Sequence, residues 1–214
     1  AMGNAVATKD ALSQQQQMEY GAFNRLTGFT DKRNNSTSFE YDENGNIILI
    51  QQPMGVETTF SYDEEGNMET MVDGNGNETQ MDYNANNDLV EIRYEIGSEQ
   101  FSYDNAGNLL STTDANGHIT TMEYDALNRL RSVRDQLNNT VQYDYDAASN
   151  LILEIDPEGN QKHYDYDAHN RLVQVETPIG NTKYGYDALD NLTSITNAEE
   201  HTSHFTYDTR SRLT

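Results

Sequence analysis

The residues best equipped for chemistry in this 214-residue chain are its carboxylates, 36 Asp and Glu against 13 Lys and Arg. A glycosidase-type pair would need two of them at a set separation across a pocket. Here the aspartates recur at the starts of turns, where a side chain bonding the backbone two residues on is reason enough for them. The stretch Asp-Gly-Asn-Gly-Asn-Glu at 73–78 opens like a calcium loop. Its sixth position is Glu78 rather than Gly, and its twelfth would be Asn84 rather than Glu; turn chemistry is again the better reading. His201 and His204 are three apart, so on a strand they point to opposite faces, a poor start for a shared zinc ion. The chain contains neither a Gly-x-Ser-x-Gly elbow nor a phosphate-binding Gly-x-x-x-x-Gly-Lys. No catalytic, cofactor or metal residues are assigned, and the chain is read as a non-enzyme.

A row of tyrosines is the remaining candidate, because aromatic rings can stack on sugars. Ten tyrosines stand in register: Tyr20, Tyr41, Tyr62, Tyr83, Tyr103, Tyr124, Tyr145, Tyr166, Tyr186 and Tyr207. Seven of the nine spacings are 21 residues and two are 20, which marks a tandem repeat. Six residues after each tyrosine comes an apolar residue: Leu26, Ile47, Met68, Leu89, Leu109, Leu130, Leu151, Leu172, Leu192 or Leu213. Two residues before it stands Met, Phe or Tyr, from Met18 to Phe205. Each copy needs a ring at this place to bury apolar area, with the hydroxyl finding a partner at the edge. Packing is therefore a better account of the column than sugar binding.

The elements that position these columns follow from period-2 alternation. Phe101 and Tyr103 share one strand face, as do Thr37, Phe39 and Tyr41. After Tyr103 comes Asp-Asn-Ala-Gly, in which Asp at the first place and Gly at the fourth suit a type I turn, and the glycine accepts the positive φ of a bulge. A second strand and a second turn of the same chemistry complete the unit. The turn glycines are Gly45, Gly55, Gly66, Gly76, Gly97, Gly107, Gly117, Gly159 and Gly180. Gly97 and Gly180 precede the next tyrosine by six residues, where Gly55 and Gly117 precede it by seven; these two turns should lack the bulge of their siblings. Two turns in about 21 residues leave strands of about six. The fold class is all-β: tandem hairpins forming one curved antiparallel sheet, an arc of a spiral hollow shell, since strand twist keeps so many strands from lying flat. A sandwich is the structural alternative. Residues 1–17 read as a cloning remnant, Ala-Met-Gly, and an irregular lead-in. Residues 18–214 read as ten repeats, the last one truncated, excised from a longer protein.

Composition bounds the partners. A formal charge of −23 argues against nucleic acid, whose phosphates require Lys and Arg, and against anionic lipid. No apolar run approaches the ~20 residues of a membrane-spanning helix, so no membrane insertion is expected. With no cysteine there is neither a disulfide framework nor thiol chemistry. Hydrophobic residues are 35%, below the usual ~45–50%, which favours a thin apolar layer over a deep core.

Tyr-Asp-Glu-Asn-Gly-Asn-Ile at 41–47, Tyr-Asp-Glu-Glu-Gly-Asn-Met at 62–68 and Tyr-Asp-Asn-Ala-Gly-Asn-Leu at 103–109 resemble the YD-repeat, or Rhs-repeat, family. An Arg variant appears at 124–130 and 166–172. The resemblance covers roughly residues 18–214. It implies a spiral β-shell, which in Rhs proteins and toxin-complex components encloses a C-terminal toxin and in teneurins belongs to an adhesion receptor. It also implies a secreted or cell-surface parent, with the absence of cysteine and the acidity leaning to a bacterial one. The family's autoproteolytic cap motif is missing; Asp-Pro-Glu-Gly at 156–159 is a repeat turn. The expected function is a structural shell segment that encapsulates or displays an effector; the alternative is an adhesion module binding glycan or protein. Expected partners are the rest of the parent polypeptide and, through unpaired strand edges, other copies of the fragment.

Overall fold

A computed structural model describes residues 7–9 and 15–214. The Ala-Met-Gly opening lies outside the described residues. The chain divides into two compact units, residues 1–102 with 113–117, and residues 103–112 with 118–214. The first holds β1 (Ala7–Lys9), β2 (Gln15–Tyr20), β3 (Leu26–Thr30), β4 (Ser36–Tyr41), β5 (Ile47–Gln51), β6 (Glu57–Tyr62), β7 (Met68–Val72), β8 (Glu78–Tyr83), β9 (Leu89–Arg93) and, but for its last residue, β10 (Ser98–Tyr103). The second holds β11 (Leu109–Thr113) but for its last residue, β12 (Ile119–Tyr124), β13 (Leu130–Arg134), β14 (Thr140–Tyr145), β15 (Leu151–Ile155), β16 (Gln161–Tyr166), β17 (Leu172–Thr177), β18 (Gly180–Tyr186), β19 (Leu192–Thr196) and β20 (Thr202–His204). Each unit is an antiparallel meander in which a strand pairs with its sequence neighbours. β1 falls within the stretch 1–17 and pairs with β2 through Lys9↔Gln15.

Each unit is one layer thick. Among the described residues no hydrophobic side chain is buried, and Gly28 alone reaches the buried class. A sandwich would close both inner faces, and neither unit has such a face. The apolar residues instead cover one another sideways. The column two before each tyrosine lies opposite the column nine after it: Phe39↔Ile50, Phe60↔Met71, Met122↔Val133 and Tyr164↔Val175. Such directly opposed pairs are what stabilise a sheet. Glu154, the acidic exception in that column, faces Tyr143 on one side and Lys162 on the other, and accepts the Tyr164 hydroxyl at 2.8 Å.

A bulge sits in the same place in eight of the tyrosine hairpins. Glu123 lies opposite Ser132 and Tyr124 opposite Leu130, leaving Arg131 with no cross-strand partner. The shift recurs at Tyr20, Tyr41, Tyr62, Tyr83, Tyr145, Tyr166 and Tyr186. Each bulge bends its strand and increases local twist, so the bending is distributed evenly along each meander.

The two short turns differ from the others as their sequence implies. Five residues lie between the last paired positions at Arg134↔Thr140, and four between those at Arg93↔Ser98. In the long turn Gly117 N–H donates to Asp114 O at 2.9 Å; in the short one the Gly97 carbonyl accepts from Tyr94 N–H at 3.1 Å. At the other short turn Thr177 lies opposite Gly180 with Pro178 and Ile179 between them.

Candidate functional site: the tyrosine ladder and its turns

The pairing of β3 with β4 ends at Gly28↔Ser38, so at Leu26 the two strands have parted. A backbone carbonyl that loses its ladder partner needs another. The Tyr41 hydroxyl donates to Leu26 O at 2.7 Å. The same bond, fifteen residues back, joins Tyr62 to Ile47 (2.9 Å), Tyr83 to Met68 (3.1 Å), Tyr124 to Leu109 (3.1 Å), Tyr145 to Leu130 (2.9 Å), Tyr166 to Leu151 (3.0 Å) and Tyr207 to Leu192 (2.9 Å). Tyr186 reaches fourteen back, to Leu172 at 2.9 Å, because its repeat is one residue shorter. Tyr20 instead contacts Met18 Sδ at 3.5 Å. Partial burial pushes the Tyr62, Tyr83, Tyr145 and Tyr166 hydroxyls up from their ordinary value, which keeps them protonated as donors. The tyrosine and leucine columns are thereby brought together twice, within a hairpin as cross-strand partners and between hairpins through this bond.

The aspartate that follows eight of the ten tyrosines folds the turn around itself, with Asn84 after Tyr83 and Gly21 after Tyr20 as the exceptions. Asp125 Oδ1 accepts from the N–H groups of Leu127 (2.8 Å) and Arg129 (3.0 Å), and its Oδ2 from Arg129 Nε (2.7 Å). Where the fifth residue is Asn the side-chain amide replaces the guanidinium, as from Asn150 Nδ2 to Asp146 Oδ2 at 2.9 Å. These bonds favour the ionised carboxylate. The side-chain bonds from Asn67 and Asn108 hold Asp63 and Asp104 below the usual carboxylate range, and that from Arg171 takes Asp167 to about 2. Asp73, in the calcium-like stretch, is such a turn residue: Asn75 and Asn77 N–H bond its Oδ1 and Asn77 Nδ2 its Oδ2. Among the described residues no group of three or more His, Asp or Glu is placed to hold a metal. His201 lies ahead of β20 and pairs with Glu199 at 3.4 Å; His204 lies on the strand, and both are exposed.

The turns also bond to one another. Arg129 Nη1 reaches the next tyrosine turn, donating to Asp146 O at 2.8 Å, while its guanidinium lies 4.8 Å from the Tyr145 ring centroid. Arg171 repeats this with Asp187 O (3.1 Å) and Tyr186 (4.8 Å), and also bonds Asp190 Oδ1 at 2.7 Å. Asn repeats use an amide relay: Asn108 Nδ2 to Asn128 Oδ1 and Asn150 Nδ2 to Asn170 Oδ1, both 2.9 Å. The sequence reading missed the partner four residues after the aspartate, although the alternation of Asn and Arg before each leucine was a signal for it.

All nine turn glycines have positive φ, from 78° at Gly55 to 135° at Gly180. Copies without glycine place Asn at that left-handed position, as at Asn87, Asn128, Asn138 and Asn170, and Ser149, Asp190, Glu200 or Ser211 in others; Asn and Asp tolerate it better than most L-residues. At Gly117 a Cβ would meet nothing within 4 Å, whereas at Gly97 it would lie 3.0 Å from Ala115 Cβ.

A family model described as RHS Repeat matches residues 41–78, 83–121, 124–161, 166–202 and 186–214. None of the curated proteins matches the chain. Among solved structures, the crystal structure of TcdB2-TccC3-TEV aligns with 99% of this chain at TM-score 0.78 and 16% identity. The Photorhabdus luminescens Tc holotoxin pore aligns with 94% of it at TM-score 0.45 and 16% identity. The chain spans 13% and 15% of those two chains.

Proposed function

Because the chain belongs to the RHS repeat family, we propose that it works as a wall: a non-enzymatic segment of a repeat shell that encapsulates or displays a C-terminal effector in a larger secreted or surface protein. Its role as a structural repeat rests on the matched family and on an all-β fold shared with a toxin-complex chain. The observation that carries the wall reading is the tyrosine bond from each hairpin to the one before it. It repeats at a nearly constant sequence separation, so repeats extend a sheet without needing a core between two layers. The tyrosine and leucine columns named above are the anchors of that wall, and the turn glycines are its hinges.

An adhesion surface would want tyrosines with free rings and free hydroxyls. Here eight of the ten hydroxyls end on backbone carbonyls and the rings are half-buried, which favours the wall over glycan stacking.

The test is protease protection of the domain downstream of these repeats in the intact parent polypeptide. A wall predicts that the domain resists digestion, and that replacing several ladder tyrosines by Ala exposes it. A domain digested equally fast with and without an intact ladder would overturn encapsulation.

A further inference from the structure

Three turns of the first unit place Gly after Asn, and the fold treats them differently. We propose that Asn75 and Asn116 are sites of spontaneous deamidation in the folded chain, converting to aspartate and isoaspartate, and that the turn at Asn44 withholds the same reaction. Asn44-Gly45, Asn75-Gly76 and Asn116-Gly117 are the Asn-Gly pairs of the sequence. Each closes one kind of turn. Asp42, Asp73 and Asp114 stand three residues before the glycine, the glycines have positive φ (100°, 86° and 81°), and the three asparagines are exposed.

The chemistry needs only water. The glycine nitrogen gives its proton to a base in solution and attacks Cγ of the asparagine. A C–N bond forms to that nitrogen as the amide C–N bond breaks, and the amide leaves as ammonia after taking a proton from solvent. Water then opens the five-membered imide at either carbonyl, leaving aspartate or isoaspartate. Glycine obstructs the attack least, because it has no Cβ.

The turns differ in what holds the attacking nitrogen. Gly76 and Gly117 N–H donate to neutral carbonyls, Asp73 O and Asp114 O, both at 2.9 Å. Both glycines are exposed, so water can replace these bonds at little net cost. Gly45 is half-buried, and its N–H also donates to the Asp42 carboxylate, Oδ1 at 2.6 Å. A bond to an ionised acceptor is roughly twice as strong, and a deprotonated nitrogen there would face a negative charge. The Arg25 guanidinium fills the space a Cβ on Gly45 would take, and its Nη1 donates to Asp42 O at 3.2 Å, whereas at Gly76 and Gly117 a Cβ would meet nothing within 4 Å. Asp73-Gly74 could cyclise by the same route only through a protonated carboxyl. Asn75 and Asn77 N–H and Asn77 Nδ2 bond that carboxylate and favour its ionised form, so residue 73 stays aspartate.

The test follows the three sites in the 214-residue chain by peptide mass spectrometry during incubation in mildly alkaline buffer, folded and in urea, with fragmentation that separates isoaspartate from aspartate. In the folded chain Asn75 and Asn116 should convert, and Asn44 at least about tenfold more slowly, the rate equivalent of one charge-assisted hydrogen bond broken before attack. In urea the three rates should converge, since all three asparagines precede glycine. Asp42→Asn removes the charge beside the Gly45 nitrogen and should bring Asn44 to the pace of Asn116. Asn84 already opens the corresponding turn, with Asn86 N–H on its Oδ1 at 2.8 Å, so the variant keeps the turn. Asn44 converting as fast as Asn116 in the folded chain would overturn the proposal, as would Asn75 or Asn116 staying unconverted until urea is added. An Asn44 that stays slow in Asp42→Asn protein, or in urea, would do so as well.

Discussion

The hydroxyl of Tyr145 donates to the carbonyl oxygen of Leu130 at 2.9 Å, and the guanidinium of Arg129 packs 4.8 Å from the centre of the same ring. One ring therefore joins three things: its own strand, the opening of the strand before it, and the turn that precedes that strand. The bond occurs where laddering between neighbouring hairpins has stopped, since β13 and β14 pair only from Ser132↔Gln142 outward.

Tyr145→Phe keeps the ring and deletes the donor, leaving the Leu130 carbonyl to find water at a half-buried site. The expected loss is about 1 kcal/mol, read as a lower urea midpoint for the 214-residue chain. Tyr94→Phe is the control: Tyr94 lies off the column, is 40% exposed and bonds only Glu99 at 3.3 Å. Equal midpoints for the two variants would mean that the ladder bond contributes nothing.

Acid should loosen the turns within a defined window. Asp167 falls from 3.8 to about 2 in the folded chain, chiefly through the bond from Arg171. A carboxylate depressed on folding contributes stability that is complete above its unfolded value of 3.8 and is lost as pH falls through about 2. Asp167→Asn removes that dependence, so the gap in midpoint between parent and variant should shrink steadily from pH 4 to pH 2. A gap independent of pH across that window would show that Asp167 titrates as an ordinary exposed carboxylate.

The turn glycines separate into two classes. Gly117 has φ 81° with open space around it, and siblings place Asn in the same conformation. Gly117→Ala should cost about 1 kcal/mol for left-handed backbone, and Gly117→Asn clearly less. Gly97, at φ 83°, has Ala115 Cβ at 3.0 Å and Ala115 O at 3.1 Å from where a Cβ would stand. Gly97→Asn should therefore be as damaging as Gly97→Ala. Thermal melts of the four variants decide it; a well-tolerated Gly97→Asn would remove the steric argument.

Much of this was legible in the sequence because a repeat shows its constraints many times over. Phe39 and Tyr41 two apart, and Gly45 four past the tyrosine, suffice to write a strand and a turn. The short turns at Gly97 and Gly180 were legible for the same reason, as a six-residue gap against seven. The bulge opposite Tyr124 was not, since a residue such as Arg131 looks like any other strand position when no partner is in view. Nor was the bond from Tyr41 to Leu26, for a period says that columns exist and not which carbonyl a hydroxyl will reach. The left-handed Asn128 was hidden by the glycines that fill its place in other copies.

Arg129 offers the sharpest contrast between similar and equivalent residues. Its fork bonds Asp125 through Nε and Nη2, both at 2.7 Å, while Nη1 crosses to Asp146 O at 2.8 Å and the plane stacks on Tyr145. Lysine keeps the charge but has one nitrogen and no plane, so it cannot hold both turns at once. Asparagine loses the charge yet is what the sibling turns use: Asn108 bonds Asp104 with the same amide that reaches Asn128. Arg129→Lys should therefore lower the urea midpoint by the equivalent of about 1 kcal/mol, and Arg129→Asn by less, with Ser149 at the next turn positioned to meet the amide. If lysine proves the milder change, charge rather than geometry holds these turns together, and the ladder must then weaken steeply with salt.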